Sequence, residues 1–111
     1  MVLITGPRFS GKTEFAKTIP EFSEESICLS AEELVREEKT GEELLDLANL
    51  LANRYNVVII TEMGCGIVPV DADERRYREQ AGRLSCLLAD RADVVVRMCC
   101  GIPMVIKGSL T

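Results

Sequence analysis

Gly6-Pro7-Arg8-Phe9-Ser10-Gly11-Lys12-Thr13 is the stretch of this sequence that decides the fold. It fits the pattern G-x-x-x-x-G-K-[ST], and it lies between an apolar run, Met1–Thr5, and a segment of helical character, Lys12–Ile19, that Pro20 ends. Strand, glycine loop and helix in this order are the context in which the pattern wraps a chain of phosphates. We therefore predict a phosphate-binding P-loop; the alternative is a coincidental glycine turn with a surface lysine.

The parts of this loop have separate predicted roles in holding ATP or GTP. Glycines allow the backbone to point its amides inward, and the helix N-terminus adds a partial positive charge. Lys12 is expected to bridge the β- and γ-phosphates, and the Thr13 hydroxyl to ligate Mg²⁺. Arg8 either contacts phosphate or lies exposed to solvent. The predicted nucleotide-binding residues are Gly6, Pro7, Arg8, Phe9, Ser10, Gly11, Lys12 and Thr13.

The rest of the chain alternates between strand and helix patterns. Val57–Thr61 is apolar or β-branched throughout, as a parallel strand buried on both faces requires. Capping boxes at Ser30-Ala31-Glu32-Glu33 and Thr40-Gly41-Glu42-Glu43 each predict a helix start. The other predicted elements are a short strand at Ile27–Leu29, a helix from Asp71 to near Arg91 with an apolar stripe of Tyr77, Ala81, Leu84 and Leu88, a strand at Asp93–Met98, and a return strand at Met104–Lys107.

This alternation predicts an α/β fold of the P-loop NTPase type. The sheet should be small and mainly parallel, with helices on both faces in a three-layer α/β/α arrangement and an antiparallel edge strand at the C-terminus. Residues 1–111 are interpreted as a single P-loop nucleotide-binding domain. Because ligands of such sheets bind at the carboxyl ends of the strands, the loop at Gly6 and the residue after Thr61 should meet at one edge.

Glu62 follows the buried strand Val57–Thr61, where P-loop proteins hold a carboxylate for magnesium or its water. Aspartate is the usual residue there, and a solvated glutamate at a strand end is the alternative. We predict that Lys12 and Glu62 are catalytic, and that Thr13 and Glu62 hold the metal.

Composition excludes several other kinds of site. Five cysteines form no C-x-x-C pair and the chain contains no histidine, which argues against a zinc site or a disulfide framework. Cys28, Cys86, Cys99 and Cys100 are predicted to be buried or half-buried thiols in a reducing compartment. Cys65, in a glycine-flanked loop, is a poor candidate nucleophile because no histidine exists to activate it.

Charge and hydropathy limit the partners. The formal charge is −5, and the acid is concentrated in residues 14–46, away from the predicted phosphate site. This distribution argues against nucleic acid as a partner but not against a nucleotide. No apolar run approaches the length of a membrane span, and Met1-Val2-Leu3-Ile4 is not a basic leader. We expect a cytoplasmic protein without a membrane partner.

Four arginines lie along the predicted helix after Asp71: Arg75, Arg76, Arg78 and Arg83. Arginines on one helix can gather an anionic substrate, but a charge run is usually the solvated face of an amphipathic helix. We favour the solvated interpretation for Arg75 and Arg76. The choice between the two interpretations stays open for Arg78 and Arg83, which lie beside the apolar stripe.

From residue 57 to 107 the order of features resembles the bifunctional adenosylcobinamide kinase/adenosylcobinamide-phosphate guanylyltransferase family of cobalamin biosynthesis. Glu62–Pro69 resembles the family's E-x-G-x-G-I-V-P segment, and Arg75–Arg83 its R-x-F-R-D-x-A-G-R helix. Residues 101–107 resemble its closing hairpin, and the first twenty residues its P-loop start. Only residues 21–56 fill the middle, where family members carry a considerably longer segment, so the chain looks like a shortened relative.

The resemblance implies phosphoryl transfer from ATP or GTP to the hydroxyl of the aminopropanol arm of a corrinoid, adenosylcobinamide. It also implies a homo-oligomer whose subunits complete one another's sites, and it puts Lys12, Thr13 and Glu62 at matched positions. The family's guanylyl transfer runs through a covalent histidine–GMP intermediate, for which this chain has no histidine. The leading hypothesis is a kinase of the cobinamide type without guanylyl transfer. The alternatives are a non-catalytic nucleotide-binding protein and a small NTPase with an unrelated substrate.

Overall fold

The computed structural model describes residues 1–63 and 71–110, which form one five-stranded sheet with helices on both faces. The elements in chain order are β1 (Val2–Gly6), α1 (Lys12–Ala16), β2 (Ile27–Cys28), a 3-10 helix (Ala31–Val35), α2 (Gly41–Arg54), β3 (Val57–Thr61), α3 (Ala72–Arg91), β4 (Val94–Cys99) and β5 (Ile102–Lys107). The predicted α/β class, with its mainly parallel sheet and antiparallel C-terminal strand, is confirmed.

Strand order in the sheet is β2-β3-β1-β4-β5. The first four strands are parallel: β1 pairs with β3 in the register Val2↔Val57 and with β4 in the register Val2↔Val94. Strand β5 runs antiparallel to β4 at the edge. The first strand of the chain is therefore the centre of the sheet, and its carboxyl end opens between the ends of β3 and β4.

Each face of the sheet carries its own apolar core. Leu3, Val58, Ile60 and Val95 point to the side where α2 and α3 pack. The alternate residues of the same strands face α1; they are Val2, Ile4, Val57, Ile59, Val94 and Val96. Successive strand residues point to opposite faces, so the apolar runs in the sequence are those of strands buried on both sides.

The predicted helix starts had different outcomes. At Thr40 the capping box forms: its side chain accepts from the Glu43 amide, and the Glu43 carboxylate accepts from the Thr40 amide. The box predicted at Ser30 is wrong, because its side chain makes no capping hydrogen bond and the segment is a five-residue 3-10 helix. Its two glutamates bind elsewhere, since Glu33 pairs with Arg36 and Glu32 turns inward to the Thr61 amide.

Two long helices cover one face of the sheet, and each buries an apolar stripe against it. Leu44, Ala48 and Leu51 of α2 are buried, and so are all four residues of the stripe predicted in α3. Helix α1 is shorter than predicted, because α-helical geometry ends at Ala16 rather than Ile19. Among the helices that the structure describes, none is long and apolar enough to cross a membrane.

Candidate functional site

The loop between β1 and α1 turns at two glycines that no other residue replaces easily. Gly6 has φ +151°, and a Cβ there would lie 2.6 Å from the Met98 carbonyl oxygen and 2.8 Å from the Ser10 Oγ. Gly11, the residue before α1, has φ +88°. Such angles are accessible to glycine at little cost. The sequence pattern thus follows from the backbone path: the chain leaves β1, reverses, and enters α1 with its first amides at the carboxyl edge of the sheet.

Lys12 folds back into this loop. Its side chain is buried, and Nζ donates to the Pro7 carbonyl oxygen at 2.6 Å, with the Ser10 Oγ further away at 3.5 Å. Burial lowers the pKa of Lys12, and the carboxylates of Glu32 and Glu62 act in the opposite direction. An ammonium group is thereby held at the centre of the loop, where a chain of phosphates requires positive charge.

A cavity of about 380 Å³ opens over the loop. Residues Arg8 to Glu14 form one side of it, and Leu29, Ser30, Ile59 and Thr61 form the other. Phe9 lies at its rim, fully exposed and with φ +58°, a left-handed conformation that is unusual for a bulky side chain. All eight residues of the predicted motif except Gly6 and Pro7 line this cavity, which we call the phosphate cavity.

Glu62 lies beside the loop and is paired with an arginine that the sequence did not point to. Arg97 of β4 reaches across the end of β1 and donates to Glu62 Oε1 at 2.7 Å and to Oε2 at 2.9 Å. Hydrogen bonding to Arg97 lowers the pKa of Glu62, against the opposing effect of its partial burial, and the Arg97 and Lys12 charges lower it further. Glu62 is thus neither simply solvated nor free: both oxygens of an ionised carboxylate face a guanidinium.

A second carboxylate, Glu32, lies at the same edge of the sheet and was missed by the sequence analysis. It is buried, and its Oε1 accepts from the Thr61 amide at 2.8 Å. The only signal in the sequence was its place in the misassigned capping box at Ser30. A carboxylate beside a buried lysine is an electrostatic partner for that lysine, and Glu32 is the largest charge acting on Lys12.

Next to the phosphate cavity lies a smaller one of about 240 Å³, which we call the side cavity. Arg8, Phe9 and Thr61 line both cavities, so the loop tip forms the wall between them. The side cavity is completed by Glu32, Glu33, Met63 and Tyr77. A wider cleft of about 740 Å³ between α2 and α3 includes none of the loop residues.

The turn between β4 and β5 supports the loop from the other side. Cys100 and Gly101 have φ +52° and +78°, as in the tight turns that match strand twist. The Gly101 amide donates to the Ser10 carbonyl oxygen at 3.0 Å, and the Glu62 amide donates to the Gly6 carbonyl oxygen at 2.9 Å. Both neighbours of β1 therefore fix the backbone of the loop.

Most of the chain matches a known protein family. Residues 23–106 match the family described as cobinamide kinase / cobinamide phosphate guanyltransferase. The chain belongs to this family. The resemblance seen in the sequence is thereby confirmed, and the match begins after the glycine loop, so it is independent of that motif.

A curated relative gives the same assignment. The chain is 36% identical over 67 residues to the bifunctional adenosylcobalamin biosynthesis protein CobP of Pseudomonas aeruginosa. The aligned part is 60% of this chain and 38% of the relative. This member of the cobinamide kinase family therefore spans well under half the length of the relative that it matches.

The remaining candidate residues have mixed outcomes. Arg75 is exposed as predicted and Arg76 is half-buried beside Asp73; Arg78 is half-buried and Arg83 exposed. The thiol prediction is right for Cys28, which is half-buried, and wrong for Cys86, Cys99 and Cys100, which are exposed. Cys86 lines the cleft between α2 and α3, and the other two follow the last buried residue of β4. Cys65 and the Gly64–Pro69 part of the family segment lie outside the described residues.

The donor atoms near the loop suit magnesium rather than a softer metal. The Thr13 hydroxyl and the Glu62 carboxylate are oxygen donors, which Mg²⁺ prefers, and it commonly takes one or two protein ligands together with phosphate oxygens. Within residues 1–63 and 71–110, no cluster of three histidine, cysteine or acidic side chains forms a metal site without a ligand.

Proposed function

We propose that the loop Gly6–Thr13 binds ATP or GTP with Mg²⁺, and that the protein transfers the terminal phosphoryl group to a hydroxyl of a cobinamide-type acceptor in cobalamin biosynthesis. One observation carries the nucleotide part: the Lys12 ammonium is buried inside a glycine-turned loop at the carboxyl edge of a parallel sheet. The family description supports the reaction class, since a kinase and a guanyltransferase both consume a nucleoside triphosphate.

In this mechanism the residues of the chain position the phosphates and neutralise their charge. The ammonium of Lys12 exchanges the Pro7 carbonyl for the β- and γ-phosphate oxygens, which are stronger acceptors because they are charged. The amides of the loop and of the first turn of α1 donate to the same phosphates. Thr13 and Glu62 would hold a magnesium ion, which would supply charge neutralisation to the phosphates. Catalysis is then mostly orientation and electrostatic stabilisation.

Guanylyl transfer is not part of the proposal. The resembling family carries GMP on a histidine, and the composition includes none. Lys12, whose pKa is lowered by burial, offers no replacement nucleophile because the proposal commits its ammonium group to the phosphates. The proposed activity is thus the kinase half of the family description. Assembly into a homo-oligomer, which the resemblance implies, is a further proposal that light scattering tests.

The experiment is a comparison of Lys12→Ala with Lys17→Ala. Both remove one ammonium from the same short segment, but Lys17 is exposed just after α1. Calorimetric titration with magnesium and ATP, and then GTP, should show binding by wild type and Lys17→Ala and a loss of about a hundredfold for Lys12→Ala, since a charge-assisted contact of about 3 kcal/mol is removed. Equal affinity in all three proteins would refute the assignment of the loop.

Turnover separates the kinase from its main alternative. Incubation with cobinamide and γ-labelled ATP or GTP should give labelled cobinamide phosphate if the proposal is right. The alternative is a nucleotide-binding protein without catalysis, and the pairing of both Glu62 oxygens with Arg97 favours it, because a metal must compete with a bidentate guanidinium. Binding without any labelled product would support that alternative.

A further inference from the structure

The side cavity is lined by two buried polar side chains, and one of them, Tyr77, has a hydroxyl without a hydrogen-bond partner in the described part of the chain. Glu32 is 6% exposed and Tyr77 is 4% exposed, and both line this cavity of about 240 Å³. Buried polar groups of a folded protein are almost always paired. The Tyr77 hydroxyl is an exception, and the Glu32 carboxylate in the same cavity lining can accept further hydrogen bonds, so the cavity points to a ligand group that pairs with both.

Glu32 is held in place through one of its two carboxylate oxygens. Its Oε1 accepts from the Thr61 amide at 2.8 Å, which fixes the carboxylate against the end of β3. A carboxylate accepts several hydrogen bonds, so a donor on a ligand can be added without breaking the contact with Thr61.

Tyr77 supplies the complementary group. Its hydroxyl is buried and has no hydrogen-bond partner within the part of the chain that the structure describes. Burial, together with the nearby Glu33 charge, raises the pKa of Tyr77, so the phenol keeps its proton at neutral pH. The cavity therefore offers an acceptor on Glu32 and a donor on Tyr77.

We propose that the side cavity binds a neutral hydroxyl group, which donates to Glu32 and accepts from Tyr77. An alcohol does both at one oxygen atom, whereas an ammonium group has no lone pair to accept from the phenol. The cavity lining carries two carboxylates, Glu32 and Glu33, and one guanidinium, Arg8, so its charge favours no anionic ligand group over a neutral one. The identification of this hydroxyl group with the phosphoryl acceptor rests on the proposed kinase function.

The position of the side cavity fits an acceptor site. Only the loop tip, Arg8 and Phe9, and Thr61 separate it from the phosphate cavity. Its volume is below the range of about 300–1,000 Å³ that holds a whole drug-sized ligand. A short hydroxyl-bearing arm fits inside, while a larger body stays outside, where the exposed ring of Phe9 offers an apolar surface.

The test uses one variant of each group with a matched control. Tyr77→Phe removes only the hydroxyl, and Tyr55→Phe makes the same change at the other tyrosine. Glu32→Gln keeps an oxygen for the Thr61 amide, and Glu37→Gln removes an exposed charge close by. Cobinamide is the probe, titrated by its absorbance in the presence of magnesium and a non-hydrolysable nucleotide, and repeated without nucleotide.

We expect both variants to weaken cobinamide binding about tenfold, since one hydrogen bond is lost in each case. In Tyr77→Phe, nucleotide affinity should stay within about twofold of wild type. Tyr77→Phe should also melt at or above the wild-type temperature, because a hydroxyl partnered within the folded chain would cost stability when removed. The controls should match wild type in every measurement. These results together would support the assignment.

Three outcomes would overturn it: no cobinamide binding by wild type in either titration, wild-type affinity in both variants, or an effect of only one variant, which excludes the bridging hydroxyl. The nucleotide titration tests the proposed function independently of the side cavity. If wild type binds no nucleotide, the proposed function is refuted, and the cobinamide titration without nucleotide still decides the role of the side cavity.

Discussion

Replacing Gly6 by alanine tests whether the loop depends on the backbone path described for it. The added Cβ would lie 2.6 Å from the carbonyl oxygen of Met98, a residue that is 1% exposed in the centre of the sheet. Its second contact, with the Ser10 hydroxyl at 2.8 Å, is with a short side chain of the same loop. The first contact is with backbone, so β1 and β4 must separate locally to relieve it.

The expected cost has two parts. A non-glycine residue in a sparsely populated conformation costs about 1–3 kcal/mol, and φ at Gly6 is +151°. Overpacking a well-packed core costs about 1–3 kcal/mol more. Together they reduce the free energy of unfolding by about 4 kcal/mol, a large share of the roughly 5–15 kcal/mol of a typical domain. For a chain of this length the melting temperature should fall by about 15 °C.

Gly82→Ala is the control, and we expect it to raise the free energy of unfolding rather than lower it. A Cβ at Gly82 meets no described atom within 4 Å, and the residue lies inside α3. Alanine there should stabilise the protein by about 0.5–1 kcal/mol, because glycine is a poor helix former. Urea unfolding followed by circular dichroism measures both. If Gly6→Ala were as stable as wild type, the close approach of β4 to the loop would be refuted.

Three further predictions concern the chemistry beside the loop. Glu62→Gln should leave nucleotide affinity within about fivefold but abolish phosphoryl transfer, because the carboxylate acts mainly as charge develops on the phosphoryl group; normal turnover would remove Glu62 from the mechanism. Incubation with α-labelled GTP should leave the intact mass unchanged, since a histidine-linked GMP has no atom on which to form; a GMP-sized increase would reveal another nucleophile. Finally, because the pKa of Glu62 is lowered in the folded protein, its ionised form stabilises the fold at pH values above the ordinary carboxyl pKa of 4.5. This stabilisation is lost as the pH falls through the lowered pKa. The urea midpoint of Arg97→Gln should therefore lie below that of wild type at neutral pH and approach it in acid; a constant difference would contradict this.

Local patterns were enough to predict most of the elements. The apolar run Val57–Thr61, the stripe of α3 and the capping box at Thr40 each depend on residues within one or two turns of one another, and the structure confirms all three. The glycine loop is predictable for the same reason: its conformation is set by glycines within eight residues.

Contacts between distant residues explain what the sequence did not reveal. The inward turn of Glu32 depends on the Thr61 amide, 29 residues away, and no local rule includes that contact. The pairing of Glu62 with Arg97 depends on β1 lying between β3 and β4. Gln80, polar but buried, is likewise held by the carbonyl oxygens of Val35 and Glu37.

The central position of β1 also governs when the loop can acquire its shape. During synthesis Gly6–Thr13 leaves the ribosome well before either neighbour of β1, whose partners begin at Val57 and Val94. Pairings of such sequence separation form slowly, whereas the β4–β5 hairpin is local. The amide of Gly101 reaches Ser10 only after that hairpin has docked. A nascent chain therefore has the motif long before the loop has its final shape, and the proposed nucleotide would bind the completed sheet rather than act as a template for its folding.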